Sequence, residues 1–275
     1  MHPHIDLPTN FELTSLYSAF RATYGGDYQA VGETHDFWEI VIVTEGEIGV
    51  TAGKEIHYLK KGQAILHTPN EFHNLWSEKN AQAGILIFTF SAKHFPPMSE
   101  RIFTLSDLRE PEEILSLIDL CFERRKSKIY VTAVREGQEL QAAIVVKRLE
   151  LFLLSVISHG SEQKRTGRAS QPALNYSKAV KFLEENIHRS LSVAEVAKGC
   201  NMGEVNLKKT FSLYAGIGVM QYFNRLKVRS AVTMLSQGAT VREAAEALGF
   251  LNQNYFCTVF TRIMGVSPKH YKGEG

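Results

Sequence analysis

Two short runs near the C-terminal end concentrate side chains suited to reading nucleic acid. Leu207-Lys-Lys-Thr-Phe211 carries two ammonium groups, and Gln253-Asn-Tyr-Phe256-Cys-Thr-Val-Phe260 opens with two primary amides. An amide offers a donor and an acceptor side by side, the pair that adenine matches in the major groove, and a lysine reaches guanine or a phosphate. In each run the large apolar residues stand four apart, Leu207 with Phe211 and Phe256 with Phe260. A helix turns such pairs to one face and leaves the residues between them outward.

The elements that must position these runs form a degenerate repeat. One copy holds Leu191-Ser-Val-Ala-Glu-Val-Ala-Lys-Gly-Cys-Asn-Met202, then Phe211, Gly216 and Tyr222; the other holds Ala239-Thr-Val-Arg-Glu-Ala-Ala-Glu-Ala-Leu-Gly-Phe250, then Phe260, Gly265 and Tyr271. Ser192 and Thr240 suit helix caps, and Glu195 and Glu243 three residues later complete capping boxes. Asn201 and Gly249 are residue types that adopt the left-handed conformation ending a helix. Ala197 and Ala245 are small where two helices would cross, and Met202 and Phe250 would anchor each turn. This is the grammar of a helix-turn-helix, expected at 191–213 and again at 239–262, with each second helix free to enter a groove about 12 Å wide. One such pattern is weakly specific. Two in tandem, joined by an amphipathic helix with Phe223, Leu226, Ala231 and Leu235 on one side, are far more so.

Charge agrees with that placement. Residues 173–275 hold 13 Lys and Arg against 7 Asp and Glu, whereas residues 1–160 hold 15 against 21. A basic third on an acidic body favours a polyanionic partner for that third. Cys121, Cys200 and Cys257 are far apart and fit no zinc or redox spacing, which suits reduced thiols in a cytoplasm. No apolar run is long enough for a membrane span and no secretory signal is evident, so a cytoplasmic protein without a membrane partner is expected.

The rest of the chain divides by pattern. From about Ser15 to Thr104, short apolar runs such as Trp38–Val43 and Gly84–Phe90 alternate with turn residues, among them Glu45-Gly46-Glu47 and Ala52-Gly53-Lys54. Strands at this spacing predict a sandwich or barrel over 1–106. Helical periodicity follows over 107–160: Ile114, Leu117, Ile118 and Cys121, then Leu140, Ile144, Leu151, Leu154 and Ile157, with Val134–Ser158 read as one helix. That helix is too apolar for a lone surface element. It should pack on the strands and offer a face to a second subunit, giving a homodimer; a purely intramolecular core helix is the alternative. Residues 161–172 lack large apolar side chains and read as a linker to the domain at 173–275.

Residues 174–272 resemble the DNA-binding domain of the AraC/XylS family, most clearly in Gly249-Phe250, Tyr255-Phe256, Val259-Phe260 and Gly265-Val-Ser-Pro-Lys-His-Tyr271. The resemblance extends loosely over the whole chain. It implies an α+β multidomain protein: an N-terminal cupin-like β-barrel sensor with packed dimerisation helices, and a C-terminal all-α domain with two helix-turn-helix units. It also implies binding to double-stranded DNA, with RNA polymerase a further candidate partner and activation or repression left open. Both recognition helices would enter successive major-groove segments about 34 Å apart. Carried over by position, the first presents Glu204, Val205, Asn206, Lys208 and Lys209, and the second Asn252, Gln253, Asn254, Cys257 and Thr258. Arg225, Lys227, Arg229 and Arg262 would clamp phosphates, which positions without specifying. Gly203 and Val219 depart from the usual Ser and Pro of the first unit and imply a looser one.

His35-Asp-Phe-Trp-Glu39 followed by Gly46 resembles the first cupin motif, and Gly62-Gln-Ala-Ile-Leu-His-Thr-Pro69 followed by His73 the second. Glu33, His35, Glu39 and His73 fall at or near the positions where metal-binding cupins place ligands, and imidazole with carboxylate can hold a divalent transition ion. Glu33 departs from the usual His there, and wall hydrogen bonds are the plainer role for His35 and His73. No cofactor is expected. The resemblance favours an organic effector, with Arg21, His35, Trp38, Glu39, Tyr58, His73 and Trp76 stacking on and hydrogen-bonding a small polar, sugar-like molecule. The leading expectation is therefore a non-enzymatic, effector-responsive regulator. The alternatives are a metal-dependent cupin enzyme with an appended helical domain, and a DNA-binding protein that needs no effector.

Overall fold

The computed structural model describes residues 11–77, 82–125, 129–158 and 170–271. Strands β1 (Glu12–Tyr24), β2 (Trp38–Ala52), β3 (Glu55–Lys60), β4 (Gln63–His67), β5 (His73–Trp76), β6 (Ala83–Lys93) and β7 (Ile102–Thr104) build the N-terminal part. The long strand β2 organises them. Its first half pairs with β4 and β6, and its second half pairs with β3 and β5. The change of partners falls at a bulge after Val43, where Gly46 takes a φ of 65° and a side chain would collide with the Gln82 carbonyl. Glu45-Gly46-Glu47 is thus a bend inside one strand, not the hairpin turn expected from its composition. Ala52-Gly53-Lys54 does turn the chain from β2 into β3.

Alternation along β2 supplies two cores. Val41, Val43, Ile48 and Val50 fill the space inside the folded sheet with Leu59, Ile65, Ile85 and Ile87. Ile40 and Ile42 face the other way, with Leu66, Leu86 and Phe88, onto helices α1 (Arg109–Cys121) and α2 (Glu139–Ser158). Between these helices the chain forms a hairpin, β8 (Phe122–Arg125) and β9 (Tyr130–Val134), and Tyr130 of β9 pairs with Ser18 of β1. The expected all-helical stretch is corrected here: Val134 ends a strand, and Gly137, at φ 76°, turns the chain before α2 begins. Ala142, Val145, Leu149, Phe152 and Leu153 of α2 are buried, while Leu140, Ile144, Leu151 and Leu154 on its opposite side stay exposed.

The C-terminal part is helical: α3 (Gln171–Glu185), α4 (Val193–Gly199), α5 (Glu204–Ala215), α6 (Val219–Ser236), α7 (Val241–Ala247) and α8 (Gln253–Met264). Ser170 caps α3, so the helix starts inside the expected linker, whose residues 161–169 lie outside the described ones. Both capping boxes form as read, Ser192 with Glu195 and Thr240 with Glu243. Asn201 and Gly249 take φ values of 53° and 65° and release the chain into α5 and α8. One core gathers Leu183, Val196, Leu207, Phe211 and Tyr222; a second gathers Val228, Ala244, Leu248, Phe256 and Phe260. The long helix α6 belongs to both. Among the described residues no helix is long and apolar enough to cross a membrane.

The two parts dock closely. The Gly32 amide donates to the Ala215 carbonyl at 3.1 Å, and Thr51 and Asn74 both donate to the Tyr214 carbonyl. Trp76 meets Tyr214 edge-on at 5.3 Å between centroids, and Phe72 meets Tyr222 at 4.6 Å. Gly32 has to be glycine in this arrangement, because a Cβ there would overlap Phe72 and the Ala215 oxygen.

Candidate functional site

Helices α5 and α8 each bury one face and expose a polar one. On α5, Leu207, Thr210 and Phe211 are buried, and Glu204, Val205, Asn206, Lys208 and Lys209 are exposed. On α8, Phe256, Val259 and Phe260 are buried; Gln253, Asn254 and Thr258 are exposed and Cys257 is half-buried. Asn252 stands just before α8, and its carboxamide oxygen accepts the Asn254 amide at 2.7 Å. It therefore caps the helix with that oxygen, and its exposed amide NH2 is left free of that bond. Lys208 pairs with Glu204 at 3.5 Å, an exposed pair whose hold on the lysine is weak.

Three of the four expected phosphate clamps are placed otherwise. Lys227 is only 4% exposed; its Nζ donates to the Arg189 carbonyl at 2.7 Å and lies over the rings of Phe223 and Phe250. Burial pulls its pKa down to about 8. It is a core residue, out of reach of any phosphate. Arg225 is half-buried, and its guanidinium donates to the Gly32 carbonyl of the N-terminal part. Arg229 is exposed and donates to the Asn70 carbonyl at 2.8 Å. In the docked arrangement both serve the contact between the two parts. Arg262 alone of the four is exposed without such a bond among those described.

Inside the folded sheet, the imidazoles and carboxylates named from the sequence do converge. One ligand atom from each of Glu33, His35, Glu39 and His73 lies within 4.8 Å of all the others. Glu39 projects inward from β2, and its carboxylate sits 3.7 Å from Nε2 of both His35 and His73. Glu33 joins from the connection before β2, where its backbone exchanges hydrogen bonds with His73 at 2.9 and 3.0 Å. Burial holds His73 down at about 4, so this ring is neutral near pH 7. Burial drives the Glu39 carboxyl up, but the hydrogen bond from His35 opposes it and the carboxyl stays below its ordinary value.

A second layer that sequence reasoning missed supports the set. His67 stacks on His73 at 4.6 Å, and its Nδ1 lies 3.1 Å from the Glu71 carboxylate, which Arg101 also holds. Burial raises the Glu71 carboxyl, yet His67 and Arg101 outweigh it and bring the pKa to about 2. The signal for His67 was present: it follows Ile65 by two in β4, and Ile65 faces the interior.

The remaining effector residues are not gathered there, which corrects their grouping into one pocket. Trp38 neighbours Glu39 in β2 and so points to the opposite face, where it stacks on Phe95 at 3.8 Å. Arg21 pairs with Glu112 of α1 at 3.4 Å and lines an outer cleft of about 560 Å³. Trp76 is 2% exposed, wedged against Gly49 and Tyr214, and is a docking residue. Tyr58 is exposed at the edge of Trp76. Only His35, Glu39 and His73 of that group share a site.

Residues 185–274 match a family model described as a helix-turn-helix domain, and residues 19–142 match one described as an AraC-like ligand binding domain. The regulatory protein PocR of Salmonella typhimurium is 27% identical over 130 residues, 46% of this chain and 43% of its own. The MmsAB operon regulatory protein of Pseudomonas aeruginosa is 28% identical over 100 residues, 34% of this chain and 33% of its own. This chain therefore spans less than half the length of these curated relatives. The HTH-type transcriptional activator RhaR of Mannheimia succiniciproducens is 23% identical over 250 residues, covering 87% of this chain and 86% of its own.

Proposed function

This chain is a member of the AraC/XylS family of transcriptional regulators, and from that premise we propose that it reads DNA with two helix-turn-helix units, α4–α5 and α7–α8. The observation that carries the reading is the pair of exposed polar faces on α5 and α8, held on cores that share α6. Glu204, Val205, Asn206, Lys208 and Lys209 face one major-groove segment, and Gln253, Asn254, Cys257 and Thr258 the next. Arg262 contacts phosphate. Arg225 and Arg229 become available to phosphate only when the sensor part lets go of them, so docking acts on DNA affinity. Sequencing the genomic fragments that the purified protein retains tests this. A shared motif with two conserved blocks one helical turn apart is expected. Fragments without a common motif would refute it.

The N-terminal part takes a small polar effector in this reading. Its contacts come from the His35, Glu39 and His73 end of the sheet. A cleft of about 630 Å³ adjoins that end, lined by Glu33, Gln221, Asn224, Arg225 and Arg262. An effector there touches both parts, and it changes DNA binding only to the extent that it favours one docking arrangement over another.

Dimerisation is assigned to α2. Leu140, Ile144, Leu151 and Leu154 recur at spacings of four, seven and three, and they are 74%, 46%, 65% and 36% exposed. Such a stripe on one helix face suits a second copy of the same helix. Leu151→Glu is expected to convert a dimer into a folded monomer in sedimentation, with a melting temperature that no longer depends on protein concentration, because Leu151 makes no part of the core. A variant that stays dimeric at micromolar concentration would move the interface elsewhere.

A further inference from the structure

We infer that the sensor part supplies the C-terminal cap of α5, and that Gln29, Thr51 and Asn74 are positioning residues for the first reading unit alone. An α-helix leaves the carbonyls of its last four residues without partners of its own. In α5 these residues are Ser212, Leu213, Tyr214 and Ala215, and every one of their carbonyls meets a donor from the N-terminal part. Nε2 of Gln29 donates to the Ser212 carbonyl and, at 2.9 Å, to that of Leu213. Oγ1 of Thr51 and, at 3.2 Å, Nδ2 of Asn74 donate to that of Tyr214. The Gly32 amide closes the set on the Ala215 carbonyl at 3.1 Å. Thr51 and Asn74 are 0% and 2% exposed. Their bonds are made away from water, where an unmet carbonyl is costly.

The two reading helices differ in this respect. Helix α8 is closed by its own residues: Asn252 caps its start, and the Gly265 amide returns to the Thr261 carbonyl at 2.8 Å. Helix α5 also ends on a left-handed glycine, Gly216 at φ 64°, but among the described residues Gly216 donates no such bond. Gly203, at the start of α5, has no side chain with which to cap it. The cores differ in the same sense. Phe72 and Trp76 of the sensor part are buried in the core that holds Leu207 and Phe211, whereas the core around Phe256 and Phe260 is built from residues of the helical part. Tyr176 and Ser177 of α3 add bonds to the Gly53 and Lys54 carbonyls, at 3.3 and 2.6 Å. Docking therefore holds Arg225 and Arg229, and it also fixes the end of α5 while leaving α8 as it is. An effector that loosens the docking loosens the first reading unit and not the second. That consequence rests on the proposed reading of DNA; the cap itself does not.

The test is hydrogen exchange read by mass spectrometry on the full chain, then binding of the same variants to a DNA library randomised across the site. Gln29→Ala removes an exposed side chain, so folding of the sensor part is not at stake, and Asn74→Ala removes a buried donor. Each should speed exchange in the last turn of α5 about fivefold, the worth of one hydrogen bond, and the double variant should speed it further. Exchange in α8 should not change. In the library, preference should fall about fivefold at the block read by α5 and hold at the block read by α8. Unchanged exchange in the last turn of α5 in the double variant overturns the inference. So does equal quickening in α5 and α8, or equal loss of preference at both blocks. If the unaltered chain selects no common motif, the reading of DNA fails, and exchange alone decides the cap.

Discussion

Lys227→Glu should unfold the C-terminal helical part, at a cost of about 3–5 kcal/mol. The amino group of Lys227 is buried beside the Arg189 carbonyl at 2.7 Å, the Phe223 ring at 4.5 Å and the Phe250 ring at 4.9 Å, contacts that only partly offset its loss of water. Carbonyl oxygen and ring faces all present negative potential. A carboxylate there would be desolvated and repelled from three sides. Lys227→Met keeps the apolar stem and loses one hydrogen bond, so it should cost about 1 kcal/mol or less. Thermal melts followed by circular dichroism separate the two substitutions from each other and from the clamp role expected on sequence grounds. If Lys227 met phosphate, Lys227→Glu would leave the melt unchanged and weaken only DNA binding. The same burial sets a pH dependence. With a folded pKa of about 8, below the ordinary lysine value of about 10.4, the unfolded chain holds more protons between those limits. Stability contributed by this residue therefore rises as pH climbs from 8 towards 10, and Lys227→Met should flatten that rise.

What the sequence disclosed and what it hid divide by range. Ser192 with Glu195, Thr240 with Glu243, and the left-handed Asn201 and Gly249 act over a few residues, and each formed as read. The inward Leu207, Phe211, Phe256 and Phe260 followed from helical period alone. Lys227 was legible by the same period, since it stands four residues after the inward Phe223, but its charge suggested a surface role. Trp38 was legible too, because alternation forbids it from sharing a face with Glu39. Glu45-Gly46-Glu47 misled for a different reason: a glycine between two glutamates suits a bulge as well as a turn, and only pairing with β6 decides. The docking of Thr51, Asn74 and Trp76 on Tyr214 spans well over a hundred residues of chain and rests on one carbonyl and one ring. Nothing in local composition marks it. The convergence of Glu33 on His73 is likewise non-local, an isolated bridge outside the named strands, and was reached only through resemblance to a motif.

The same distinction between local and long-range effects shapes what Gln253→Ala should do to DNA recognition. Gln253 opens α8, its side chain is exposed, and the cap bond from Asn252 fixes the turn from which it projects. An amide held this way can form a bidentate pair with adenine, which discriminates against other bases by about 1–3 kcal/mol. Its removal should relax preference at one base pair of the selected site by that amount, roughly five- to 150-fold in relative affinity, and leave the other positions alone. Arg262→Ala should behave oppositely. It should weaken all sequences alike and lower the slope of log affinity against log salt by about 1, because one phosphate contact is lost. Asn252→Ala belongs to neither class. It removes a cap, so its cost of about 1 kcal/mol should appear in the melt before it appears in base preference. Binding to a library randomised across the site, at two salt concentrations, reads all three. A Gln253→Ala variant with an unaltered preference at every position would mean that α8 meets the duplex through a different edge, and the assignment of Gln253 and Asn254 to base reading would have to be withdrawn.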